Sequence, residues 1–333
     1  MITRRAALTA LGGLAGISAF TRVFDALCHG ARAQSPSSRP ITIIVPYPAG
    51  GPVDITARLI AQTVGGGLGQ PIVVDNRGGG AGVIGSVAVQ HAEPDGHTLV
   101  LGTNQTHATN QSLLKSCPYD AAKDFAAVAG IAEIAHVLVV RRGLEVAGVS
   151  DLVALAKKSP GALNYASTGV GSASHLAAEL FKTRAGVELQ HIPFRGAAPM
   201  TAELLAGRVD VTFATLPSVV SHIDAGVVRA LAVASARRAA RLPNVPTLAE
   251  AGLAGVEADA WFALFAPAKT PAATAERLHR TIAASLGAEA AKDAITKQGM
   301  TPWLRSPAEI AAWLPGEIAK WAAVIKAAGV VAE

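Results

Sequence analysis

The sequence is poor in the residues that much protein chemistry relies on. Only two cysteines, Cys28 and Cys117, occur in 333 residues. That is too few for a disulfide scaffold or a cysteine-rich zinc site. Aromatic side chains make up 5%, which argues against a platform of stacked bases or sugar rings. Charged residues are 16% of the chain while half of it is hydrophobic. A disordered or acidic-tail protein is therefore excluded, because enough apolar area exists to offset chain entropy. Beyond the N-terminal region no run reaches about 18 uninterrupted apolar residues, the length expected of a membrane span. Also missing are the Gly-x-Ser-x-Gly elbow, the His-Glu-x-x-His metal spacing and the Gly-Lys-Ser/Thr of a P-loop. The length itself suits two domains of ordinary size.

The first 33 residues have the pattern of an export signal. Arg4-Arg5 is followed by an uncharged stretch from Ala6 to Phe20, and Ala31-Arg32-Ala33 supplies an A-x-A cleavage pattern before Gln34. Arg4-Arg5 with Leu8 resembles a twin-arginine signal, the alternative being an ordinary secretory signal with a chance arginine pair. Cleavage removes four of the 29 basic and one of the 24 acidic residues, so the net charge falls from +5 to +2. No Lys/Arg cluster with interleaved aromatics is left, so nucleic acid is not an expected partner. Cys117 then stands alone, which rules out an internal disulfide. A periplasmic location is expected.

Short β-branched runs alternate with helical stretches along the mature chain. Ile41–Val45, Pro71–Asp75 and Thr98–Leu101 read as strands, with helices over Asp54–Val64 and Val83–Glu93. The pattern recurs from Val137 to Ser235. The C-terminal part from Pro271 is mostly helical and is expected to be interrupted at Pro315. Such alternation predicts an α/β fold in which each domain is a mostly parallel sheet flanked by helices. The first domain is expected to take residues 40–137 plus 263–333 and the second 138–262, with crossovers at Val137–Val140 and Trp261–Pro267. Ligands of open parallel sheets bind beyond the carboxyl ends of the strands, so a cleft between the domains is the expected site.

Four loops carry the candidate chemistry. Tyr47 to Asp54 runs from a strand into a helix start, where Ala49, Gly50 and Gly51 let the backbone approach an anion. Asp54 caps that helix or meets a ligand ammonium or hydroxyl. Gly80-x-Gly82-x-x-Gly85 matches the dinucleotide fingerprint. The acid expected about 20 residues later is missing, however, because the next strand ends Leu101-Gly102-Thr103-Asn104. No cofactor is therefore expected. Ser167, Thr168, Gly169 and Ser172 make a dense set of uncharged donors at another helix start, suited to a carboxylate. His175 there either orients the loop or packs in the core. Arg195 follows a strand and either pairs with an anion or braces loop carbonyls. Ser172 with His175 is the one conceivable nucleophile pair, and no third residue is placed to orient the histidine. These parts suit capture and release, and no catalytic or metal-ligating residue is assigned.

Taken in order, Val45-Pro46-Tyr47-Pro48-Ala49-Gly50-Gly51 with Asp54 and Ala57-Arg58, Leu68-Gly69-Gln70-Pro71, Val83-Ile84-Gly85 and Pro94-Asp95-Gly96-His97-Thr98-Leu99 resemble one known family. So do Gly102-Thr103, Tyr119-Asp120, Asp124-Phe125, Tyr165-Ala166-Ser167, His175-Leu176, Leu204 to Asp210, Leu242 to Thr247 and Ala251-Gly252. The chain is similar to the periplasmic solute-binding receptors of tripartite tricarboxylate transporters, the Bug family. The resemblance spans essentially the whole mature chain. It implies a two-domain Venus-flytrap fold, closure on a small organic anion, and delivery to membrane permease subunits. It also implies that the loops Tyr47–Asp54 and Ser167–Ser172 hold ligand carboxylates, with Thr103, Asn104 and Gln105 as a third wall. Arg195 departs from the lysine common in the family. The expected protein is a monomeric, non-enzymatic receptor for a di- or tricarboxylate, aromatic acid or amino acid. A sensor docking a two-component kinase and an exported hydrolase are the alternatives.

Overall fold

The computed structural model describes residues 39–330. The expected export signal at residues 1–33 lies outside them.

The first lobe begins with β1 (Ile41–Val45), α1 (Pro52–Leu68), β2 (Ile72–Asn76), α2 (Val83–Gln90) and β3 (Thr98–Thr103). A π turn at Gln105–Thr109 leads into α3 (Asn110–Leu113), and β4 (Phe125–Ile134) follows. The chain then enters a second sheet through β5 (His136–Arg141). The second lobe continues with α4 (Val149–Lys158), β6 (Asn164–Ser167), α5 (Ala173–Ala185), β7 (Gln190–Pro193) and α6 (Ala197–Leu205). It ends with β8 (Val211–Thr215), α7 (Leu216–Asp224) and β9 (Val228–Val233). The chain returns through β10 (Ala260–Pro267), α8 (Ala272–Gly287), α9 (Glu289–Lys297), β11 (Thr301–Pro302) and α10 (Pro307–Ala328). The fold is two-domain α/β, with helices flanking two sheets ordered β11-β4-β10-β3-β1-β2 and β7-β6-β8-β5-β9.

Most strands of each sheet share one direction, as expected, but both sheets are mixed: β10 and β11 are reversed in the first and β5 in the second. β1 pairs in parallel with β2 and β3, and β6 with β7 and β8. β10 is antiparallel to β3 and β4, and β5 to β8 and β9. The reason lies in the connection. Only Ala135 separates β4 from β5, so the chain enters the second sheet as a nearly continuous ribbon. Its direction there is inherited from the first sheet, with no helical crossover to turn it. The segments expected as crossovers are themselves strands inside single sheets. The chain changes sheet just before each of them, at Ala135 and between Val233 and Ala260.

Pro315 does not interrupt α10, which runs through it as one helix of 22 residues. A Ser306–Glu309 capping box fixes its start, and buried Ile310, Leu314, Trp321 and Ile325 anchor one face. That packing outweighs the single hydrogen bond a proline removes. The long β4 has no alternating pattern in sequence: Phe-Ala-Ala-Val-Ala-Gly-Ile-Ala-Glu-Ile is rich in alanine, a helix former. Its place between β10 and β11 comes from tertiary pairing.

Candidate functional site

A cavity of about 670 Å³ is lined from both lobes. Its walls are loops that follow the carboxyl ends of β1, β3, β6, β7 and β8. Strand ends run straight into helices there. Gly51, Pro52 and Val53 bring the start of α1 to the cavity, and Gly82 the start of α2. Ser172 to Ser174 bring the start of α5, Ala197 to Pro199 the start of α6, and Thr215 is the N-cap of α7. Five helix starts thus face one space with the positive ends of their dipoles, although the first N–H of α7 is taken by the Ala135 carbonyl and that of α2 by the Gly80 carbonyl. Among the lining side chains Arg195 is the only charged group, and no carboxylate is present.

Of the residues expected from sequence, Tyr47, Ala49, Gly51, Thr103, Asn104, Thr168, Gly169, Ser172 and Arg195 line the cavity. Gly50, Asp54 and Ser167 do not, and each has a supporting role instead. The Gly50 N–H donates to Asp54 Oδ2 at 2.9 Å, and Arg58 bonds the same oxygen at 3.1 Å. Burial works to raise the Asp54 pKa, but bonds from Arg58 and Gly50 win and lower it. Asp54 therefore stays anionic and shapes the loop, and it is not left free to meet a ligand ammonium. Ser167 is fully buried; its Oγ lies 2.6 Å from His191 Nε2 and donates to the Gly169 carbonyl at 3.1 Å.

The loop 168–174 is held from beneath. Ser174 Oγ accepts from the Thr168 N–H at 2.9 Å, and Ser172 Oγ caps α5 by accepting from the His175 N–H. His175 orients the loop, because its Nδ1 accepts the Gly171 N–H at 2.9 Å. Its ring stacks on His191 at 3.9 Å, and burial pushes its pKa down to about 4. That ring nitrogen is committed to the backbone, and Ser172 Oγ bonds Ser174 instead. The Ser172–His175 pair is therefore not assembled as a nucleophile and base. Arg195 is exposed toward the cavity and has no hydrogen bond or ion pair with a described residue, so it does not brace the loop.

In the first lobe the Tyr47 hydroxyl lies 2.9 Å from Thr103 Oγ1 and donates to Gln105 Oε1 at 3.2 Å. Burial, partly countered by the Thr103 bond, pushes its pKa up to about 12, so it remains a neutral donor. Asn104 lines the wall and ties it to the returning chain: Nδ2 donates to the Asp259 carbonyl and Oδ1 accepts the Trp261 N–H. The glycine fingerprint has a packing purpose. A Cβ on Gly82 would stand 2.5 Å from Thr106 Cγ2, and one on Gly85 would stand 2.9 Å from Pro46 Cα. Those glycines let the α2 start press against the Tyr47 loop.

Gln105, expected in the third wall, lines the cavity, whereas sequence reasoning did not name Gly79–Gly82, His136, Ala197–Pro199, Thr215 or Phe262 as cavity residues. For the α6 start the signal was present in Gly196 and Pro199, a glycine before and a proline inside a helix start. His136 and Phe262 carry no local signal, since they lie inside apolar strands. Among the described residues no group of three or more His, Cys, Asp or Glu is placed to hold a metal. No helix among them is long and apolar enough to cross a membrane.

Comparison with known proteins identifies the family. Residues 56–330 match the family model described as the tripartite tricarboxylate transporter family receptor. Protein BugT of Bordetella pertussis is 37% identical over 298 residues, covering 89% of this chain and 91% of that protein. The structure of R. palustris Rpa4515 with adipate superposes with a TM-score of 0.85 at 39% identity, covering 89% of this chain and 99% of that one. MatC from Rhodopseudomonas palustris with bound malate gives 0.80 at 32%, covering 87% and 99%. These relatives are substrate-binding receptors and not enzymes. The chain belongs to the tripartite tricarboxylate transporter receptor family, the periplasmic Bug-type solute-binding proteins.

Proposed function

We propose that this protein captures a small carboxylated metabolite in the cavity between its lobes and presents it to membrane permease subunits. The observation that carries this reading is the wall itself: five helix starts and one unpaired guanidinium, with no acid among the lining residues. Such a wall stabilises negative charge and penalises positive charge. Solved relatives with adipate and malate bound support the ligand class. Each carboxylate would take backbone N–H groups at a helix start, with Thr168 and Ser172 on one side and the Tyr47–Val53 loop on the other. An anion bridging both lobes favours a closed state in proportion to its differential affinity for that state. The domain division we adopt has the hinge at the sheet changes beside Ala135 and Ala260. Export with cleavage between Ala33 and Gln34 completes the reading and delivers the protein to the periplasm.

The test is a thermal-shift panel of di- and tricarboxylates, aromatic acids and amino acids on residues 34–333. A ligand at a hundred times its dissociation constant adds about 2.7 kcal/mol, a rise of several degrees for a chain of this size. The expected result is a shift with one or two acids only. No shift with any acid, in a sample that native mass spectrometry shows to carry no retained ligand, would overturn the proposal.

A further inference from the structure

His136 is the first residue of β5 and stands where the chain has just changed sheet. Its side chain is 1% exposed, and the residue lines the cavity. Ring Nδ1 lies 2.7 Å from the Ala258 carbonyl oxygen. A carbonyl only accepts, so Nδ1 carries the proton. Burial keeps the ring neutral, its pKa pushed down to about 4. A neutral imidazole has one N–H, so Nε2 presents a bare lone pair. Nε2 has no hydrogen-bond partner among the described residues.

Most other polar side chains of the wall are donors or already engaged, and the Thr215 hydroxyl donates to Ser218 Oγ, so among the described residues the only ring nitrogen offered to the cavity is His136 Nε2. Both ends of the Asn104 amide are bonded to the returning chain. Gln105 Oε1 accepts the Tyr47 hydroxyl. Thr168 and Ser172 bond through Ser174. Arg195 only donates. A bare ring nitrogen in this setting repels a carboxylate oxygen and bonds only to a group that brings a hydrogen. An ammonium brings three hydrogens and a charge, and the lining has no carboxylate to receive them. A hydroxyl brings one hydrogen and no charge.

We propose that His136 is a specificity-determining residue of this receptor, selecting carboxylic acids whose hydroxyl group donates to Nε2 over the same acids without it. The proposal rests on the acid-receptor reading above. One ring then bonds the returning chain at Ala258 through Nδ1 and the ligand through Nε2, so the hydroxyl is read at the junction of the two sheets. An unsubstituted acid leaves that buried acceptor unpaired. The expected discrimination is at least about tenfold, equivalent to about 1.4 kcal/mol.

The experiment is isothermal titration calorimetry with matched pairs: succinate and malate, glutarate and 2-hydroxyglutarate, adipate and 3-hydroxyadipate, with aspartate as the amino counterpart of malate. In the pair that fits the cavity, the hydroxylated member should bind at least about tenfold tighter, and His136→Phe should bring the ratio near one. A readout without mutation is the ring 15N spectrum of histidine-labelled protein. It should show the Nδ1–H tautomer throughout and an Nε2 resonance that moves only with the hydroxylated acid. Equal affinities within every pair that binds would overturn the assignment. So would an Nε2 resonance that is unmoved, or protonated, in the hydroxy-acid complex. Binding of none of these acids would instead count against the receptor reading itself.

Discussion

Replacing Glu317 tests how the cavity wall is braced. Glu317 lies on α10 and is 7% exposed. Its Oε1 accepts three N–H groups: Trp321 Nε1 at 2.6 Å, Trp261 Nε1 at 3.2 Å and Asn104 Nδ2 at 3.3 Å. Each indole has one donor and no second acceptor in reach, and both tryptophans are buried. Glu317→Ala leaves two indole N–H groups and one amide hydrogen without partners, each costing about 1–3 kcal/mol. Water entering the vacated space and relief from burying a carboxylate pull the total toward the lower end, about 3–5 kcal/mol. Glu317→Gln keeps Oε1 but replaces charge-assisted bonds with neutral ones, a loss of about 1–2 kcal/mol. At about 2 °C per kcal/mol, the melting temperature should fall by about 6–10 °C for Ala and about 2–4 °C for Gln. Far-UV circular dichroism is the suitable probe, because the substitutions alter indole fluorescence directly. A Glu317→Ala variant that melts within about 1 °C of wild type, or a Gln variant as damaged as the Ala one, would refute the three-donor account.

Three further outcomes are expected. Gly171 has φ +71° and a Cβ there would stand 1.8 Å from Leu113 Cδ2, whereas Gly161 has the same φ with open space around it. Gly171→Ala should therefore melt lower than Gly161→Ala by about 1–3 kcal/mol of overpacking, and equal melting temperatures would disprove the contact. His107, His136 and His175 are buried, with pKa values pushed down to about 3, 4 and 4 by burial first. Folded and unfolded chains are both neutral at these sites above about pH 6.5, and below it the unfolded chain takes up protons the folded one refuses. Stability should fall between about pH 6.5 and 4, at up to about 1.4 kcal/mol per pH unit for each histidine. Asp259, raised to about 6 chiefly by burial, opposes this by up to one proton. Melting temperatures that stay flat over that range, or a slope unchanged in His175→Gln, would contradict the assignment. Arg195→Gln should weaken carboxylate binding about tenfold or more and flatten its salt dependence in calorimetric titrations; an unaltered affinity would remove Arg195 from the anion site.

Much of the architecture was legible in local pattern. β1 appears at the expected residues and β3 begins at the expected Thr98, because β-branched runs are short-range signals. Helix starts after Gly51 and Gly169 were recognisable for the same reason, since glycine, proline and hydroxyl residues punctuate the chain locally. The expectation that these loops bind an anion follows from that local chemistry alone. The reversed direction of β5, β10 and β11 was not legible. β5 and β10 run antiparallel to their neighbours because the chain passes between sheets through a single residue at Ala135 and a long return, and pairing is a long-range property.

The same division holds within the site. Sequence alone placed Tyr47, Thr103, Thr168, Ser172 and Arg195 on loops that follow strands, and these residues do face one cavity. It could not separate the residues that line the cavity from those that hold the lining in place. Asp54 and Ser167 sit in the same loops, yet one is taken by Arg58 and the Gly50 N–H and the other by His191. Which side of a loop a short polar group faces depends on partners 4 to 24 residues away in sequence. His136 had no signal at all, being one apolar-strand residue among several. Only the meeting of the two sheets put its ring between the Ala258 carbonyl and the cavity. The sequence determined the helix starts and the donors they carry; tertiary structure decided which of them converge, because convergence is set by strand pairing across the whole chain.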